Sequence, residues 1–516
     1  MTQTVHTDDI TLNKVLEKRM PNVIYLIGDG LGPEELKLAS LVEYGTENGT
    51  IIDTDFPIQS LYTTNDILDR TTDSAAAGSA LATGQLTRNA IISMDPTKSI
   101  PYKTILEYLQ YDFGYATGII TTTTSTHATP ATFATHAGSR EDENQIRDQM
   151  QGKNIDLILG MGLEGVSLGP NIETARGRGE LNGYTVVVNL DELNSQAQTA
   201  NKLLGVFPGV DGERGVFELN RIPTIPSLID MAKAGLSFLE RKSNPYFVMI
   251  EAGNIDQAGH VNENLDDAGP NKTLHNVLQT INFEKTVRLA LDIAKADGNT
   301  IVIVAADHET GDLSINDFSG LDNILPSETN DRDTNIAIRA KRLSQIDASF
   351  PLNFDAHTKT PVRFAGYGSD FGSLNVTRID DIFWALNSGL GSFPGVLNHR
   401  FTINGDMLDV VAEVRDLDKS AEIFSVVIEY GNGTVKIYNY EMPVQEITSY
   451  SVSVPLDTAQ TYLAYIRISD NGTNDILSFD SNSKLVQQEV THPLLESTTT
   501  EATTSQTTTS NTIDPI

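Results

Sequence analysis

Residues Thr71 to Gly84 read TTDSAAAGSALATG. Alanine is the strongest helix former, and Thr and Asp directly before the run are good N-terminal caps, so the stretch predicts a helix that begins near Ser74. There the first backbone N–H groups lack intrahelical partners, and the macrodipole favours an anion. A serine so placed suits a nucleophile that receives a phosphate, and the small residues Ala75 to Ala77 let its helix pack closely on a neighbour. An ordinary capping serine on a buried Ala-rich helix has the same local pattern. The rest of the chain has to decide between the two.

Outward from this stretch, short apolar runs recur, each followed by polar and often acidic residues. They are Val23 to Ile27 (VIYLI), Tyr115 to Ile120 (YATGII), Tyr246 to Ile250 (YFVMI) and Thr300 to Ala306 (TIVIVAA). Between them lie amphipathic segments such as Phe283 to Lys295, with Phe283, Val287, Leu291 and Ala294 on one stripe. Apolar runs alternating with such helices indicate an α/β fold, a largely parallel central sheet with helices on both faces. The last helix is predicted around Thr377 to Asn387, which closes a domain of residues 1–392. From Phe393 the texture changes. Glu422 to Tyr430, Thr434 to Tyr440 and Tyr462 to Ile468 alternate apolar with polar residues, and turn signals stand at Asn404-Gly405, Asn432-Gly433 and Asn471-Gly472. Residues 393–493 therefore read as a β-sandwich. Residues 494–516 form a Thr/Ser-rich tail too poor in apolar groups to fold.

Composition narrows the chemistry. Across 516 residues, 36 Lys plus Arg stand against 69 Asp plus Glu, a net charge of −33. Such a surface repels a phosphate backbone, so nucleic acid is not an expected partner, whereas divalent cations are welcome guests. The absence of cysteine excludes disulfides, thiolate metal sites and cysteine nucleophiles, so any metal must be held by His and carboxylates. The first twenty residues carry no apolar signal-peptide core, and no run of eighteen apolar residues predicts a transmembrane segment.

In open α/β sheets, ligands bind beyond the carboxyl ends of the strands. Val23 to Ile27 leads into Gly28-Asp29-Gly30. Ile119 and Ile120 lead into TTTTSTHATPATFATHAGSR, which carries His127 and Thr129 and ends at Arg140. Tyr246 to Ile250 leads into Glu251, Asp256 and His260, and Thr300 to Ala306 into Asp307-His308-Glu309-Thr310-Gly311. Four apolar runs thus deliver carboxylates and imidazoles to one rim, with His357 as a further candidate ligand. Asp256 and His260, four apart, meet if the segment makes a helical turn.

Taken together, these motifs resemble the alkaline phosphatase family. The likeness rests on Gly28-Asp29-Gly30, Asp73-Ser74-Ala75-Ala76 with Ala82-Thr83-Gly84, His127-Ala128-Thr129-Pro130-Ala131, Glu251 with Asp256 and His260, Asp307 to Gly311, and His357-Thr358. They occur in family order over Pro21 to Leu390. The resemblance implies two zinc ions, one held by Asp256, His260 and His357 and the other by Asp29, Asp307 and His308. It also implies one magnesium ion, held by Asp29, Thr129 and Glu251. His127 stands at the third site, where some bacterial members carry Asp and the animal-type enzymes His; this predicts weaker magnesium binding or competition by zinc. Ser74 would be the nucleophile, activated beside zinc and passing through a phosphoserine, and Arg140 would clamp two phosphate oxygens. The implied activity is hydrolysis of phosphate monoesters at alkaline pH, in a periplasmic or extracellular protein that forms a homodimer. A phosphodiesterase on the same scaffold stays open, and an inactive surface protein with this fold is the reading from another class. Gln257 is assigned at most a phosphate or water contact, while His136 and His275 are read as structural or surface residues.

Overall fold

The computed structural model describes residues 20–99, 101–162, 182–209, 216–242, 244–260, 272–321, 331–351, 356–368, 376–390, 395–415, 423–430, 434–441, 447–457, 462–469 and 487–490. Two compact units divide the chain, residues 1–393 and 394–516. The Asn432-Gly433 and Asn471-Gly472 turns and the Thr/Ser-rich tail lie outside the described residues.

The strands of the first unit are β1 (Asn22–Gly28), β2 (Ile58–Tyr62), β3 (Ala116–Thr124), β4 (Leu157–Met161), β5 (Thr185–Val187), β6 (Leu203–Phe207), β7 (Tyr246–Glu251), β8 (Thr300–Ala306), β9 (Glu309–Thr310), β10 (Ser314–Asp317), β11 (Asp347–Ser349), β12 (His357–Thr358) and β13 (Val362–Tyr367). Nine of them form one sheet in the order β2-β13-β8-β1-β7-β3-β4-β6-β5, in which β13 alone runs antiparallel to its neighbours. The four apolar runs become β1, β3, β7 and β8, which lie side by side as β8-β1-β7-β3 and are buried nearly throughout. β3 continues past Ile120 to Thr124, where the β-branched threonines stay buried and Thr121 pairs with Glu251 and Thr124 with Met161 across an irregularity.

Both faces of the sheet are covered. Phe133, from the Ala128–Ala134 helix, packs on Tyr25 and Phe247. Leu239, from the Leu228–Glu240 helix, lies against Gly118 beside Val248. Successive residues of a strand point to opposite faces, so Phe247 and Val248 assign these two helices to opposite sides. The amphipathic Phe283 stripe belongs to a longer helix, Lys272–Asp297. The final helix spans Asp381–Gly389, later than Thr377, because the Asp381 carboxylate takes the amides of Thr377 and Arg378 in a turn ahead of it (both 3.0 Å).

The second unit contains β14 (Gly395–Asn404), β15 (Met407–Arg415), β16 (Ile423–Tyr430), β17 (Val435–Glu441), β18 (Ile447–Pro455), β19 (Tyr462–Ser469) and β20 (Gln487–Val490). They form two antiparallel sheets, β14-β15-β18 and β17-β16-β19-β20. One apolar cluster draws on both: Leu408, Val410 and Val454 from the first, Phe424, Val426 and Ile428 from the second. Phe424 stacks on Tyr450 across them, with ring centroids 4.0 Å apart.

Candidate active site

The Ala-rich stretch forms a helix over Ser74–Thr83 whose N-cap is Asp73, with its carboxylate accepting the Ala76 amide. Ser74 is thus the first helical residue and is freed from the capping role. It is buried, and its Oγ lies 3.3 Å from His308 Nε2. At the other end Gly84 adopts a left-handed φ of +68°, and a Cβ there would sit 2.6 Å from the Phe383 ring, so glycine is required twice over.

The ends of β1, β7 and β8 converge on this serine. Asp29 follows β1, held between Gly28 and Gly30. Gly30 has φ +75°, a Cβ on it would come within 2.7 Å of the Asp256 Cα, and its amide donates to Asp307 Oδ1 (3.0 Å). Beyond β7 the Asn254–His260 helix brings His260 Nε2 to 3.2 Å from Asp256 Oδ1. Beyond β8, Asp307 Oδ2 lies 3.1 Å from His308 Nε2. The short β12–β9 pairing sets His357 opposite Thr310 and stacks its ring on His308 at 3.5 Å between centroids. His357 donates from Nδ1 to the Thr72 carbonyl (2.8 Å), which leaves Nε2 as a lone-pair donor aimed at His260 Nε2, 3.0 Å away, and at Asp256.

Among the described residues three donor groups emerge: Asp256, His260 and His357; Asp29, Asp256 and His308; and Asp29, His127 and Glu251. Asp256 therefore faces the first two, with Asp307 beside His308 in the second. Thr129 Oγ donates to Asp29 Oδ2 (3.2 Å) at the third, where His127 Nδ1 lies 3.8 Å from Glu251 Oε1. Asp29 Oδ1, Glu251 Oε1 and His127 Nδ1 are buried with no hydrogen-bond partner among the described residues. Buried, unpartnered carboxylate oxygens crowded beside imidazole nitrogens are costly unless a cation compensates them. Imidazole nitrogens with carboxylate oxygens suit zinc, while the oxygens of Asp29, Thr129 and Glu251 suit magnesium. The residues present fit divalent metal ions.

The electrostatics agree. Burial, then the neighbouring carboxylates of Asp307, Asp256 and Glu251, push Asp29 well above the usual carboxylate range. Burial acts the same way on Asp256, but His260 and His357 overcome it and hold that carboxyl well below. His308 likewise lowers Asp307 against its burial.

Arg140 lies across a cavity of about 290 Å³ that it lines with Ser74, His127, Asp256, Gln257 and His260. Its guanidinium is 3.4 Å from Asp73 Oδ2 and 3.1 Å from His127 Nε2. Four residues to which the sequence assigned no part at the site also contribute. Asp73, recognised only as a cap, also holds Arg140. Thr310 Oγ donates to Asp256 Oδ1 and lies 3.1 Å from His308 Nδ1, so it ties two candidate donors together. Thr121 and Thr123 donate to Glu251 Oε2, a use to which the run of four threonines was the available signal. His136 bonds the Ser93 carbonyl and Glu107, and His275 packs on Phe217, both away from the cavity lining.

A family profile described as alkaline phosphatase matches residues 20–341. Alkaline phosphatase 3 of Bacillus subtilis (strain 168) is 32% identical over 317 residues, 58% of this chain and 63% of that protein, so the chain spans less than two thirds of this relative. The alkaline phosphatase of Escherichia coli (strain K12) is 26% identical, over 73% of this chain and 87% of the relative. Among solved structures, the alkaline phosphatase from the Antarctic bacterium TAB5 aligns with 72% of this chain and 99% of its own, at TM-score 0.57 and 25% identity. Variants of that enzyme with a histidine replaced by Asp or Glu hold magnesium in a site called M3.

Proposed function

The chain belongs to the alkaline phosphatase family, and on that premise we propose that it hydrolyses phosphate monoesters to an alcohol and inorganic phosphate, with Ser74 as nucleophile. The observation that carries this reading is the Ser74 hydroxyl, first in its helix, facing His308 in a cavity it shares with Arg140. Asp256, His260 and His357 would hold one zinc, Asp29, Asp307 and His308 a second with Asp256 close by, and Asp29, Thr129 and Glu251 a magnesium beside His127. Bound there, the ions supply positive charge against the oxygens of the transferring phosphoryl group and favour the ionised form of a nearby hydroxyl.

The chain's own residues do the rest. The positive end of the Ser74–Thr83 helix and the Arg140 fork orient the phosphate dianion, while Asp73 fixes that fork from behind. Ser74 Oγ forms a bond to phosphorus as the ester oxygen leaves with its electron pair and is released as the alcohol. Water then cleaves the phosphoserine, freeing phosphate and restoring the hydroxyl. Two in-line displacements give net retention at phosphorus.

Rapid acid quench of the metal-replete protein with a radiolabelled monoester should trap label on the Ser74 peptide. Ser74→Ala should slow p-nitrophenyl phosphate turnover by a factor on the order of 10³ or more, with the melting curve nearly unmoved. Parental turnover in that variant would remove Ser74 from the role. Turnover of the bis-ester at least as fast as that of the monoester would move the assignment to a phosphodiesterase.

The same reading takes residues 1–392 as the catalytic domain, residues 393–493 as an accessory β-sandwich and residues 494–516 as its tail. Family resemblance supports a homodimer exported to the periplasm or the exterior. Among the described residues no helix is long and apolar enough to cross a membrane. Fractionation of the source cells tests the location.

A further inference from the structure

Three helices, Leu228–Glu240, Lys272–Asp297 and Arg332–Leu343, meet the turn at Glu218–Arg221 around a second cavity of about 300 Å³, which shares no lining residue with the Ser74 cavity. Five of its described lining side chains are cationic: Arg221, Lys233, Lys285, Arg332 and Arg339. In a chain of net charge −33 that concentration is out of character. Neighbouring carboxylates neutralise part of it. Glu218 pairs with Arg221 at 2.9 Å, and Glu43 takes Arg339 through two hydrogen bonds (2.7 and 2.6 Å) and reaches Lys285 at 3.9 Å. Asp333, on the solvent side, touches Arg332 at 3.3 Å. Two donors are left over. Exposed Lys233 has no ion pair or hydrogen bond among the described residues, and Arg332 Nε is buried without an acceptor. The floor between the cations is apolar, made by buried Leu278 and Ile281 with Ile336 beside them.

We propose that this cavity binds a small organic anion, a compact apolar body bearing two oxyanion groups. The surplus donors account for the charge of the ligand. Lys233 offers a mobile ammonium and Arg332 a guanidinium anchored to the Glu218 carbonyl, so positive charge stands at two separate points of the cavity to face two oxyanions. An inorganic ion would leave the apolar floor bare, whereas a hydrocarbon body removes it from water. An overall acidic surface repels anions in general, so a local basic concavity also selects where an anion can settle.

Benzene-1,3-disulfonate, which has no phosphate to hydrolyse, is the probe. Titration calorimetry on the metal-replete full chain should give one site per chain, with affinity that falls as salt rises. Lys233→Glu, at an exposed position, should weaken binding at least tenfold and leave p-nitrophenyl phosphate turnover unchanged. Arg332→Gln should weaken it in the same direction. No heat with the parental protein, or undiminished affinity in Lys233→Glu, overturns the proposal. Displacement of the probe by saturating inorganic phosphate together with competitive inhibition of turnover would locate it in the Ser74 cavity, which also overturns it. Sulfate bound as tightly as the disulfonate would refute the apolar part.

Discussion

At the scale of single residues, the candidate donors are held by side chains outside the three donor groups. Thr310 carries a hydroxyl between Asp256 and His308, two donors that separate elements deliver. Such outer partners fix ligand orientation, and losing one typically costs about 10–100-fold in metal affinity or activity. Thr310→Val keeps the β-branched shape and removes only the hydroxyl, so kcat/KM should fall within that range and zinc should be lost at lower chelator concentration. Thr310→Ser should recover most of both, and a valine variant with parental metal retention would show the link to be idle. His127 offers the converse test, because a carboxylate in its place adds an oxygen donor beside Asp29 and Glu251. His127→Asp should tighten magnesium, read as activity recovered after chelation as magnesium is titrated back at constant zinc. The same carboxylate would pair with Arg140, which now contacts the imidazole, so turnover should drop while metal retention improves. That the candidate residues gather in one place was legible because polar groups at the ends of apolar runs are expensive without a purpose. Thr310 was not, since a threonine in a strand needs no explanation beyond its propensity.

Elements are joined by buried polar ties, of which Glu107 is one. It closes a capping box with Thr104, accepts from His136 after the Ala128–Ala134 helix and pairs with Lys153 at the end of the Glu143–Gly152 helix. Burial alone would raise its pKa, but His136 and Lys153 prevail and lower it far beneath the usual 4.5. A depressed folded-state pKa means that Glu107 stabilises the fold above the unfolded value, near pH 4.5, and that this contribution disappears as pH falls toward the folded one. Glu107→Gln should therefore cost about 3 kcal/mol at neutral pH. The gap between variant and parent should narrow in melts below pH 4.5, and a gap that widened there would contradict the assignment. Helix starts were readable because caps are local chemistry. The Glu107 tie was not, since its partners lie 29 and 46 residues away.

For the whole molecule, the two units answer to separate cores. The nine-stranded sheet and every proposed catalytic and ligand residue, His357 being the last, lie before residue 394. A chain stopped at residue 393 should fold, bind zinc and turn over monoesters at near-parental kcat/KM; a soluble truncated protein without zinc would refute this. The fold class was legible from the alternation of apolar runs and amphipathic helices, but strand order was not, because nothing local says that β1 lies between β7 and β8. That position has a consequence for biosynthesis. β1 is the first described strand to leave the ribosome, yet its two hydrogen-bonding neighbours are separated from it by more than half of the first unit. At roughly 5–20 residues per second, Val23 to Ile27 waits on the order of 15–60 s before both edges can be paired. Through that interval the future centre of the sheet lacks its neighbours on both edges, so slowing translation between Gly28 and Thr300 should raise aggregation more than slowing it after Ala306.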